Sequence, residues 1–147
     1  VSGSKNELLG KKVKFEDEID GVLVASRAYI HDQKSLSGIC VQNKIKCYVI
    51  LQPVLPLRDS PVGKVETQHY QKWSDSTRQG NIIRRFYTEV SAGLVGLESP
   101  YYKVINLSSL PNEQSWKSIP FFYDFGHTGF FSGEIIGNAI ARKLSIY

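Results

Sequence analysis

Methionine is missing from this 147-residue chain, cysteine occurs only twice, and no apolar run approaches the length of a membrane span. Each scarcity removes a class of protein. A transmembrane helix needs about 18 consecutive apolar residues, so no span is expected. His31, His69 and His127 lie far apart and no Cys or His recurs at ligand spacing, so neither a metal nor another cofactor is expected. The acidic run Glu16-Asp17-Glu18 with Asp20-Gly21 lacks the aspartates that open a calcium loop, and Arg27 stands where its last glutamate belongs. The glycines form no phosphate loop, dinucleotide fingerprint or nucleophile elbow. A start at Val-Ser-Gly-Ser, without an initiator, fits a processed product, a polyprotein fragment or a trimmed chain.

What is present has the balance of an ordinary folded domain: 41% apolar and 22% charged residues exclude disorder and low complexity. The length matches one domain over 1–147, large enough to fold without a metal or staple. Eighteen basic against fourteen acidic residues leave +4, which permits an anionic partner without requiring one. No internal repeat is visible.

The run from Ser35 to Leu57 is the richest in β-branched, aromatic and apolar residues, and Asn43-Lys44 offers a two-residue turn at its centre. That hairpin sets Cys40 opposite Cys47, about 4.5–5.5 Å apart at Cβ, which makes the pair a disulfide candidate. Pro53 and Pro56 end the second strand. Upstream, residues 1–10 read as a loose arm, Lys11 to Phe15 as an exposed strand, and Val22, Val24, Ser26 and Ala28 as one face of a strand in a first hairpin. Downstream, Lys64 to Trp73 alternates as a strand. Residues 81–95 fit both periods, and their β-branched and aromatic content favours strand, with Gly93 and Gly96 loosening its end. Tyr101 to Leu107 and Trp116 to Phe125 read as further strands. Only the last segment is plainly helical: Ser132 caps it, Ile135, Ile136, Ala139, Ile140 and Leu144 make one face, and Arg142-Lys143 meet the C-terminal dipole. The expected fold is therefore α+β and β-rich, a mostly antiparallel sheet of about six to eight strands with the C-terminal helix packed on one face.

Chemistry concentrates where Phe121 to Phe125 runs through Gly126, His127 and Gly129 into that helix. Asp124 and His127 are spaced to pair, the carboxylate orienting the imidazole for acid–base work, with Ser132 or Thr128 as the nearby hydroxyls. A second cluster mixes charge with aromatic rings: Tyr70, Trp73, Arg78, Arg84, Arg85 and Tyr87 could stack on single-stranded bases and meet phosphates, or anchor a protein partner. The cysteine pair and an Asn-x-Ser sequon at Asn106-Leu107-Ser108 point outside the cytoplasm, to a secreted or periplasmic setting. The leading expectation is a non-enzymatic protein-interaction or assembly module, acting on a protein partner or by self-association. Single-stranded nucleic-acid binding and a small hydrolase or transferase built on Asp124 and His127 are the alternatives.

Overall fold

A computed structural model describes residues 15–73 and 77–145, with side chains from residue 20 onward. The first element is a helix, α1 (Phe15–Asn43), where two strands and a turn were expected. Its inward stripe is Val22, Ser26, Ser37 and Cys40, with Tyr29, Ile30 and Gln33 half-buried between them. That is the spacing of three and four of a helical face. Val24 and Ala28, which an alternating strand would have placed beside Val22 and Ser26, are exposed. Serines and a glutamine inside the stripe hid its period. No proline interrupts the run, and it extends about 43 Å at 1.5 Å per residue.

Asn43-Lys44 does reverse the chain, but as a helix end. Lys44 takes the left-handed conformation, φ 55°. Its N–H donates to the Val41 carbonyl at 3.2 Å, while the Ile45 N–H reaches back to Cys40 at 3.0 Å. These are the two bonds of a Schellman cap. The chain then enters β1 (Cys47–Leu51), and a disulfide joins Cys40 to Cys47. The pair is bonded from a helix end to a strand start, with Cα atoms 6.2 Å apart, and not across a hairpin.

After β1 come a single 3-10 turn at Leu55–Leu57, α2 (Gly63–Trp73) and α3 (Arg78–Val95). Both helices replace expected strands. The Thr77 hydroxyl caps α3 by accepting from the Gly80 N–H at 3.0 Å. Gly93 lies inside α3, where a Cβ would stand 2.3 Å from Cδ1 of Ile30; the glycine lets α3 approach α1 and does not loosen the chain.

The second strand, β2 (Tyr102–Asn106), pairs parallel to β1, with Val49 beside Val104 and Ile50 beside Ile105. Parallel neighbours need a long crossover, and α2 with α3 supplies it. Among the described residues these two strands are the whole sheet, so the antiparallel sheet of about six to eight strands is overturned. The segment 116–125 is turns and one isolated bridge, Phe122 to Thr128, in place of a strand. The chain closes with α4 (Phe130–Leu144), which buries Ile135 and Ala139 on the expected face.

The ribbon is sandwiched. Val49, Leu51 and Tyr102 pack with Cys40, Val90 and Leu94 of α1 and α3. Ile105 faces the opposite core with Leu55, Leu107, Leu110, Phe121, Phe122, Ile135 and Ala139. Helices on both faces of a parallel ribbon are the reason β1, Cys-Tyr-Val-Ile-Leu, reads as a continuous apolar run. The expected arm at 1–10 and all but the last residue of the strand expected over Lys11 to Phe15 lie outside the described residues. Among those described, no helix is long and apolar enough to cross a membrane.

Candidate functional site

The residues before α4 form a short hairpin. Gly129 N–H donates to the Phe121 carbonyl at 3.0 Å and Tyr123 N–H to the His127 carbonyl at 2.7 Å, leaving Asp124, Phe125 and Gly126 at the tip. Asp124 organises that tip. Its Oδ1 accepts the N–H groups of Gly126 and His127, both at 2.8 Å, and its Oδ2 lies 2.7 Å from Nδ1 of His127. The Gly126 N–H foremost, then the His127 ring and amide, hold the Asp124 carboxyl down at about 2. Asp124 is therefore a carboxylate at neutral pH, an acceptor only, and the hydrogen bond requires the neutral imidazole to carry its proton on Nδ1. Nε2 is left as the basic nitrogen. The imidazole is 83% exposed, and no described residue hydrogen-bonds Nε2.

The base of the hairpin is fastened from below. Ser132, fully buried, places its hydroxyl 2.6 Å from the Phe121 carbonyl and 2.7 Å from that of Gly129. It pins the loop to α4, and the N-cap position belongs to Gly129. The tip is held from the side: Phe125 accepts from the Leu55 N–H at 2.8 Å, and its ring stacks on Trp73 at 4.9 Å between centroids. Lys72 lies over the same indole.

A buried carboxylate that sequence reasoning missed completes the anchorage. Glu66 accepts from the N–H groups of Phe121, of Phe122 at 2.7 Å and of Val62 at 2.6 Å. Arg58 faces it, Nη1 to Oε1 3.3 Å, and gives Nε to the carbonyl of Ser60 at 2.8 Å and Nη2 to those of Lys117 and Ile119, both at 2.9 Å. Burial lowers the Arg58 pKa from the usual guanidinium range, and Glu66 opposes that shift. Both side chains are within 1% of full burial, so this pair joins four chain segments and offers nothing to solvent.

Uncovered aromatic rings flank the Asp124–His127 pair along the chain. Tyr123 is 73% exposed, Phe130 88% and Phe131 72%, and Phe125 also reaches solvent. An uncovered aromatic group of this size marks a surface for contact.

The six basic and aromatic candidates divide among different surroundings. Tyr70 packs against the core with its hydroxyl on the Asp59 carbonyl, while Trp73 belongs to the hairpin through Phe125. Arg78 begins α3 at the surface and Arg84 is half-buried. Arg85 pairs with Glu89 at 2.8 Å. Tyr87 donates to the Gln52 carbonyl and lines a separate cavity with Tyr29 and Phe86. Among the described residues no three His, Cys, Asp or Glu side chains converge as a metal site. No protein-family model, curated protein or solved structure matches this chain.

Proposed function

We propose that the hairpin carries the acid–base half of a hydrolase or group-transferase site, with His127 as the general base and Asp124 as its orienting carboxylate. The single observation behind this is the 2.7 Å Oδ2 to Nδ1 bond, which aims Nε2 outward. In the reaction, Nε2 takes the proton of an attacking water or alcohol as its oxygen adds to the substrate, then returns it to the leaving group. Asp124 keeps its charge throughout and stabilises the imidazolium. The exposed rings of Tyr123, Phe130 and Phe131 flank the pair in the chain and offer apolar groups to a substrate.

The test is turnover of chromogenic p-nitrophenyl acetate, butyrate and phosphate. One of them should turn over faster than with free imidazole at equal concentration. His127→Ala should remove that excess, and Asp124→Asn should lower kcat by about 10²-fold or more through the wrong tautomer. Turnover that survives His127→Ala, or none above imidazole, overturns the reading.

The same exposed rings favour a second reading, a protein-interaction module docking through this face. Phe130→Ser with Phe131→Ser should then release a protein partner while leaving the fold intact by circular dichroism. In either reading the cysteine pair supports a secreted or periplasmic location, where disulfides persist. Reduced thiols in protein isolated under trapping conditions would count against it.

A further inference from the structure

We infer that the outer edge of β1 is a strand-accepting interface whose occupant is an extended apolar segment of polypeptide. The parallel register decides which groups are free. Cys47 N–H donates to the Tyr101 carbonyl at 2.8 Å and Leu107 N–H to the Leu51 carbonyl at 2.9 Å. Residues 47, 49 and 51 therefore turn their backbone groups toward β2, and Tyr48 and Ile50 turn theirs away. Among the described residues those outward N–H and C=O groups have no partner.

The two edges of the ribbon are treated differently. On β2 three of the outer groups are closed locally: Ser99 N–H bonds the Tyr102 carbonyl at 2.9 Å, Tyr102 N–H the Ser99 hydroxyl at 3.0 Å, and Val104 N–H the Glu98 carboxylate at 3.1 Å. Glu98, from the turn before β2, thus lays a charge against that edge, and charge at an edge disfavours further pairing. β1, Cys-Tyr-Val-Ile-Leu, has no such guard.

Beside the C-terminal end of β1, where the Tyr87 hydroxyl already closes the Gln52 carbonyl, is a cavity of about 260 Å³, walled by Phe86, Tyr87 and Val90 with Ile50, Leu51 and Gln52. Backbone pairing with a pocket for alternate side chains is how added strands are recognised. The cavity is walled mainly by apolar and aromatic side chains, so the added strand should turn an apolar face toward it and place one large side chain inside. A second copy suits the site less well. In a two-fold pairing that sets Tyr48 against Ile50, Lys46 falls opposite Gln52 and meets the apolar cavity.

The probe is the synthetic peptide Lys-Val-Phe-Val-Thr-Val-Lys, followed by amide hydrogen exchange at Tyr48 and Ile50. Both amides should exchange freely in the monomer and slow by about tenfold or more on saturation with peptide. Ile50→Pro removes an outward N–H and no ladder bond, and should abolish the protection. Phe86→Ala leaves the backbone alone and should weaken peptide binding by about tenfold or more. Protection already present in the dilute monomer, no protection by peptide, or protection that grows with protein concentration alone, the mark of a second copy, each overturns the inference.

Discussion

Replacing Glu66 with glutamine separates a buried structural carboxylate from an ornamental one. Glutamine keeps one acceptor oxygen, which can stay on the side of Phe121, Phe122 and Arg58; its NH2 must then confront the Val62 N–H that Oε2 now accepts at 2.6 Å. One hydrogen bond to a charged group, about 1.5–3 kcal/mol, becomes a donor facing a donor. The guanidinium of Arg58, 1% exposed, also loses its counter-charge, although three carbonyls still hold it. Breaking a buried pair from one side costs about 3–5 kcal/mol, a large share of the roughly 5–15 kcal/mol that stabilises a domain. Urea unfolding followed by circular dichroism should show the midpoint falling by about 2 M at an ordinary slope. In a double-mutant cycle with Arg58→Met, the combined loss should be at least about 1 kcal/mol smaller than the sum of the two. The His127 imidazole resonances should also broaden, because the hairpin base has lost its anchor. A loss under about 1 kcal/mol, or strict additivity with Arg58→Met, would refute the claim that this pair holds the hairpin to α2.

Cys40→Ser with Cys47→Ser opens a loop of sequence separation 7, and the loop-entropy relation gives a loss of about 2.5 kcal/mol, readable as a lower Tm that reductant reproduces in the native chain. Lys44→Gly relieves the left-handed residue at φ 55° and should raise stability by about 1 kcal/mol in the same unfolding assay. Burial, with Tyr29 nearby, pushes the Tyr102 phenol from 10.0 up to about 12, and its hydroxyl donates to Gln33 at 2.8 Å. The folded state favours the neutral phenol, so this contribution is whole below pH 10 and is lost on rising to about 12, by up to roughly 3 kcal/mol. Alkaline unfolding of Tyr102→Phe should lack that slope.

Much of the candidate site could be read in the sequence, because its geometry is local. Asp124 and His127 are three residues apart across a glycine turn, and an Asp side chain there captures the following amides whatever the rest of the chain does. The Asp124–His127 spacing, the strand at 102–106 and the apolar face of α4 each depend on a few neighbours in the chain. Glu66 left no signal. A charged residue between Val65 and Thr67 reads as surface, and only the arrival of Arg58 and of residues 121–122 makes it an interior acceptor.

By itself the chain determined its reversals and its short-range pairs: a bend at 43–44, a bond between Cys40 and Cys47, a dyad at 124 and 127, an amphipathic end. Tertiary structure decided which period each longer run would obey. Ile82, Phe86 and Val90 satisfy a strand and a helix equally, and the choice fell to helix because α1 and the ribbon present a groove for one face of α3. Propensity differs by about 1 kcal/mol or less per residue between the two states, whereas burying a side chain such as Leu94 is worth about 2–3 kcal/mol. Burial outweighs propensity and depends on partners distant in sequence, so the choice of period could be settled only in the folded chain.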